Sequence, residues 1–228
     1  MTAHTDKEFE AQLQKLKGMI LAMGADVEAM ISMAMKSLKE NNLSLGQQIF
    51  IKEDEVNHFE MDVGDLCIKI LALRQPAASD LRFIAIGIRI SNDLERIGDL
   101  AVNIVQRVEK LTHASIPQVH DKLFTLSEKT QKMVNSVLNA FVDQDVELAQ
   151  KILASDDEVD ALNKDIHQSL LTVMQTDSKL IPSAIMLLLI SRHLERMADH
   201  ATNIAEQVIY MVKGQDIRHA GKSTNSLS

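Results

Sequence analysis

Two acids four residues apart, Glu95 and Asp99, lie inside the run LERIGDLAVNI (Leu94–Ile104). A second pair, Glu195 and Asp199, lies inside LERMADHATNI (Leu194–Ile204), 100 residues later. Positions i and i+4 share one helix face a turn apart, so each pair sets two carboxylates side by side. Two such anions repel by roughly 0.2–0.5 kcal/mol. Asn103 and Asn203 extend each face by another turn with a neutral amide. Oxygen donors of this kind suit hard or borderline cations: Mg²⁺, Mn²⁺, Ca²⁺ or iron. Carboxylates also bridge ions, so a multinuclear site in each half is within reach. Zinc is less natural here without Cys or paired His.

The plainer alternative is a solvated helix face on which Arg96 and Arg196 pair with the acid three residues on. A lone Glu-x-x-x-Asp in an acidic chain carries little weight against it. Three features favour metal. The pair occurs at matched places in two halves of the chain, it borders the apolar stripe, and the flanking LER and NI are duplicated with it.

Other chemistry is sparse. His58 completes Glu55-x-x-His58, the spacing of carboxylate-bridged di-iron bundles. The matching run Glu158–Ala161 has no His, so a four-helix di-iron oxidase is disfavoured. His200 is turned about 100° from Asp199 and reads as a surface or supporting residue. Cys67 is the sole cysteine and sits in an apolar helical run, which marks it as a core residue. With one cysteine no intramolecular disulfide forms, and a reducing compartment is expected. No nucleophile–base set, glycine-rich phosphate loop or C-x-x-C is present, so no catalysis is expected.

Helices must position these residues. Glycine and proline are scarce, at 8 and 3 of 228 residues, and there is no Trp. Ile90, Leu94, Ile97, Ala101, Ile104 and Val108 follow helical spacing over several turns. Pro76, Pro117 and Pro182 fall between such runs, where proline starts rather than interrupts helices. The pattern predicts six helices, roughly 7–40, 44–73, 78–112, 118–142, 145–175 and 182–213. The all-apolar runs FIAIGI (Phe83–Ile88) and AIMLLLI (Ala184–Ile190) predict segments buried on every side at the centre of the molecule.

The repeat extends beyond the acid pairs. DEV at Asp54–Val56 recurs at Asp157–Val159, an offset of 103 that Leu45/Leu148 and Ile49/Ile152 share. The fold class predicted is all-α: two tandem antiparallel three-helix bundles related by a pseudo-twofold. Residues 1–113 would form the first bundle, 114–214 the second, and 215–228 a polar tail.

The formal charge of −8 disfavours nucleic-acid binding and attraction to anionic lipid. The polar first ten residues are no signal peptide, and the strongest apolar run, Ile185–Ile190, is far too short to cross a bilayer. No membrane insertion is expected, and the placement predicted is cytoplasmic, peripheral at the inner membrane only through protein partners.

LERIGD, LERMAD, RQPAASDLR (Arg74–Arg82) and YMVKGQDIRH (Tyr210–His219) together resemble the PhoU family of bacterial phosphate-uptake regulators, over nearly the whole chain. The resemblance implies paired three-helix bundles that bind metal ions (iron, Mg, Mn or Zn) through Glu95, Asp99, Glu195 and Asp199, with Asn103 and Asn203 as additions. It implies a non-enzymatic negative regulator of the phosphate-starvation response and of phosphate uptake. Such an adaptor links the ATPase subunit of the phosphate ABC transporter to a sensor histidine kinase, and it forms a homodimer. Arg74, Asp80 and Arg82 are candidates for an exposed partner-recognition turn. The second motif departs from the family pattern at Met197–Asp199 and His200, which alters the immediate surroundings of that acid pair. A metalloenzyme or metal-storage bundle is the alternative from another class, and a metal-free scaffold is a third.

Overall fold

The computed structural model describes residues 2–217, His113 and Gln118 excepted. The last part of the expected tail, residues 218–228, lies outside the described residues. Six α-helices are formed among them: α1 (Thr2–Glu40), α2 (Ser44–Leu73), α3 (Ala78–Leu111), α4 (His120–Asp143), α5 (Val146–Thr176) and α6 (Ile181–Lys213). The breaks follow local chemistry. Asn41 and Gln144 take left-handed φ values of 50° and 54° and so end α1 and α4. The Asp145 carboxylate accepts from the Leu148 amide at 2.9 Å and caps α5. Asp177 turns the chain through a short 3₁₀ segment, Ser178–Leu180, into α6, whose first turn carries Pro182. α1 begins five residues earlier than the periodicity suggests, and Arg74 donates to Glu8 at 2.8 Å, which ties the start of α1 to the end of α2.

α1, α2 and α3 pack on one another, and so do α4, α5 and α6. The two bundles join chiefly along α3 and α6, the most extensive helix contact in the molecule, with a smaller contact of α1 on α4. The stripe Ile90, Leu94, Ile97, Ala101, Ile104 and Val108 is fully withdrawn from solvent. Each such aliphatic side chain contributes about 1.5–3 kcal/mol on burial. Ser91 and Ser191, at equivalent places, are buried with their hydroxyls donating to the Ile88 and Leu188 carbonyls at 2.9 and 3.0 Å. Phe83 stacks on Phe141 across the bundles at 5.5 Å between ring centres.

Two expectations need correction. FIAIGI and AIMLLLI are not buried all round: Ala85 and Ile185, again equivalent, face solvent. Neighbouring helices cover α3 and α6 on several sides but leave one position of each run open. Nor is Ile185–Ile190 the segment closest to membrane-spanning character. Lys7–Glu40, within α1, is long and apolar enough by composition. Its Leu16, Ile20, Met23, Val27, Met30 and Ile31 are all fully buried, so this apolarity serves the core. The backbone of α1 also comes very close to α4 at Gly24, where an added Cβ would stand 2.5 Å from Leu138 Cδ1.

Candidate metal-binding ridges

Glu95 and Asp99 leave α3 on the side facing α2, with side chains 23% and 34% exposed. α2 lies against α3 here: a Cβ at Gly98 would make an ordinary contact with Val56 Cγ1 at 3.5 Å. Val56 in turn sets the α2 strip of Glu53, Asn57 and Glu60, spaced i, i+4, i+7, beside the α3 pair. The acids register one another. The Glu95 carboxyl is pushed above the usual carboxylate range by burial first, and then by Asp99 and by Glu60. Glu53 is raised by burial, then by Asp99 and Asp54. The first ridge therefore holds Glu53 and Glu60 from α2 with Glu95 and Asp99 from α3.

The second ridge repeats the plan on α5 and α6. Burial lifts Asp156 to about 6, with Asp160 and Asp199 adding to the effect. Burial likewise raises Glu195, followed by Asp199 and Asp160. Asp199 stands at the rim, yet crowding by the adjacent helices and the charge of Asp160 raise it too. Asp156, Asp160, Glu195 and Asp199 make up this ridge.

Sequence reasoning found the α3 and α6 acids and missed Glu53, Glu60, Asp156 and Asp160. A signal was available beside the DEV repeat. At its offset of 103, Glu53 matches Asp156, Asn57 matches Asp160 and Glu60 matches Asn163. All three positions carry an oxygen donor in both halves, with amide and carboxylate exchanged at two of them.

The remaining candidates are placed as follows. Arg96 pairs with Glu95 at 3.3 Å and Asp99 at 3.2 Å from an exposed position. Asn103 donates to the Asp99 carbonyl at 2.9 Å, and its side-chain oxygen lies 3.5 Å from Arg107 Nη1. Asn203 lines a cavity between α3 and α6 with Asp93 and Gln207. Arg74, held by Glu8, has a side chain only 18% exposed. Arg82 donates from Nε to the Met211 carbonyl at 3.0 Å. Asp80 lines a cavity of about 290 Å³ at the same end of the molecule. Glu55 and His58 are both exposed on the outer side of α2, apart from the ridge. Cys67 is buried, donates to the Ile84 carbonyl at 3.6 Å and has its thiol pushed up to about 11 by burial.

The ridges fit a hard cation in their chemistry. All donors are oxygens, and like charge is concentrated where water is partly excluded. Asp156 Oδ1 and Asn163 Oδ1 are buried with no hydrogen-bond donor, and Asn163 is only 8% exposed. A buried acceptor without a donor costs about 1–3 kcal/mol, which a cation relieves. No three His, Cys, Asp or Glu side chains close on a single ligand point among the described residues.

Comparison with known proteins adds a family. The PhoU domain profile matches residues 20–108 and 123–208, one match in each bundle. A phosphate-specific transport system accessory protein PhoU homolog from Pseudomonas aeruginosa is 37% identical over 222 residues, 97% of this chain and 92% of that protein. The corresponding accessory protein of Escherichia coli K12 is 34% identical, over 97% of this chain and 92% of its own length. The crystal structure of PhoU from Pseudomonas aeruginosa superposes with a TM-score of 0.88 over 91% of this chain and 100% of that one, at 37% identity. The phosphate transport system regulatory protein PhoU from Streptococcus pneumoniae gives 0.86 over 92% and 99%, at 27% identity.

Proposed function

This chain belongs to the PhoU family, accessory and regulatory proteins of phosphate transport rather than enzymes, and from that premise we propose that it is a metal-binding adaptor that restrains phosphate uptake and the phosphate-starvation response. Its partners in this reading are the ATPase subunit of the phosphate ABC transporter and a phosphate-responsive sensor histidine kinase. It works in the cytoplasm, at the inner face of the membrane through those proteins, and as a homodimer. One observation supports the metal role above others: two four-carboxylate ridges on the matching helix pairs of two repeats, three of the four acids at equivalent positions, one ridge backed by buried acceptors that lack donors.

The residues that would hold the ions are Glu53, Glu60, Glu95 and Asp99 in one bundle and Asp156, Asp160, Glu195 and Asp199 in the other, with Asn163 behind the second set. A bound cation would supply positive charge that draws the four carboxylates together. The chain's own contribution is to fix the angle between α2 and α3, and between α5 and α6, so that the acids meet. Rigid paired bundles bias a partner by binding one of its states more tightly than another. The exposed position of Glu55 and His58 gives the carboxylate-bridged oxidase reading no support.

The regulatory reading is tested by deleting the gene and following a phosphate-starvation reporter in phosphate-rich medium. Induction is expected, and a silent reporter rejects the adaptor role. Co-purification with the kinase and the transporter ATPase tests the partners. Elemental analysis of purified protein, with and without the acids of the ridges, tests the metal.

A further inference from the structure

The α3–α6 seam has two ends related by the repeat, and they are chemically opposite. At one end α3 supplies Arg89, Asn92 and Asp93, and α6 supplies Asn203, Glu206 and Gln207, around a cavity of about 380 Å³. Asp93 there is engaged on both oxygens: it meets His200 Nδ1 at 2.8 Å and accepts from Gln207 Nε2 at 2.8 Å. Moving each position by 100 residues exchanges the helices and gives the other end. Asn92 becomes Arg192, Asp93 becomes His193, and Gln207 becomes Arg107. The counterpart of His200 is Leu100, which offers no hydrogen bond.

The result is a set of donors without an acceptor of matching charge. Both ring nitrogens of His193 are buried and unpartnered. Arg107 spends its guanidinium on neutral oxygens, Gln106 Oε1 at 3.1 Å and Asn103 Oδ1 at 3.5 Å. Arg192 and Arg196 are exposed, and neither forms an ion pair among the described residues, although the equivalent Arg96 pairs with two acids. Burial, and then the charges of Arg107, Arg196 and Arg192, hold the His193 imidazole down at about 4. Glu195 and Asp199 feel Arg192 and Arg196 only through space, without a hydrogen bond.

We infer that this end of the seam, formed by Arg107, Arg192 and His193, binds a small free oxyanion. Guanidinium groups present paired N–H donors that match two oxygens of such an ion. An imidazole N–H buried without a partner is costly, and an anion oxygen relieves it. Exposed Arg192 receives the ion and Arg107 completes the contact from the facing helix. The site is a local exception on a chain of net charge −8. It depends neither on metal at the ridges nor on the regulatory reading.

The test uses full-length protein freed of metal by chelator and then desalted. It is titrated calorimetrically with inorganic phosphate, and separately with sulfate, at low ionic strength. Saturable binding at one site is expected, with a matching rise in melting temperature. Arg192→Gln alters a solvent-exposed side chain, so the fold is retained, and it should weaken binding at least tenfold. Arg107→Gln with Arg192→Gln should abolish it, whereas Arg89→Gln at the opposite end should leave it unchanged. Absence of saturable binding by the wild type overturns the inference. So does unchanged affinity in Arg192→Gln, or an equal loss in Arg89→Gln, which would reveal a response to overall charge alone.

Discussion

Arg82 Nε donates to the Met211 carbonyl at 3.0 Å, so the first turns of α3 cap the last turn of α6. Gly214 follows with φ 68°, and the guanidinium rests beside it, its Nη1 3.6 Å from the position of an added Cβ. A residue on an apparent recognition turn thus serves as a clasp between the bundles. A cation at a helix C-terminus also meets the negative end of the helix dipole.

Replacing Arg82 with Ala should lower stability by about 1–2 kcal/mol, since a charge-assisted hydrogen bond is lost and a carbonyl is left unmet. A urea midpoint comparison measures it. Lys at the same position should recover part of the loss, and an unshifted Ala variant would deny the clasp.

Metal removal should destabilise the wild type and not the ridge variant. Chelator is expected to lower its melting temperature by linkage. A variant with Glu95→Gln, Asp99→Asn, Glu195→Gln and Asp199→Asn should melt at the same temperature with or without chelator and contain less metal. Equal metal in both proteins removes the ridges from the account.

Glu55→Gln with His58→Ala should retain wild-type metal content, because both side chains point away from the ridge. Loss of metal in this variant would bring back the di-iron reading of that spacing.

In metal-free protein the second ridge carries a pH signature. Asp156 is held at about 6 in the folded state, above its unfolded value of ~3.9. A raised carboxyl favours folding when protonated, so its contribution is complete below the unfolded value and lost as pH climbs through 6. After solvent screening the loss is no more than about 1–2 kcal/mol. Asp156→Asn should flatten the stability profile between these limits and be the more stable protein at neutral pH. Denaturant titrations across that range provide the check.

Cys67, buried with its thiol pushed up to about 11, should resist alkylation in the native protein. Labelling at the rate of a free thiol, without unfolding, would contradict this placement.

Much of the molecule was legible from periodicity alone. The helix limits agree to within one or two residues, except at the start of α1, which lies five residues earlier. The doubled acid pairs on α3 and α6 announced themselves because they sit inside conserved wording within one chain. Their partners Glu53, Glu60, Asp156 and Asp160 were hidden among 32 acidic residues. Nothing in a single helix says which neighbouring strip will face it.

The sequence by itself determined the six helices, their division into two repeats, and one half of each ridge, because hydrophobic spacing and i, i+4 geometry are properties of a single helix. Tertiary structure decided which acids meet, that Arg82 turns inward to Met211, and that one end of the seam is neutralised while the other is left basic. Those outcomes depend on the angle and approach of one helix against another. Interhelix packing, with close approaches such as that of Leu138 on Gly24, fixes that angle, and no local pattern encodes it.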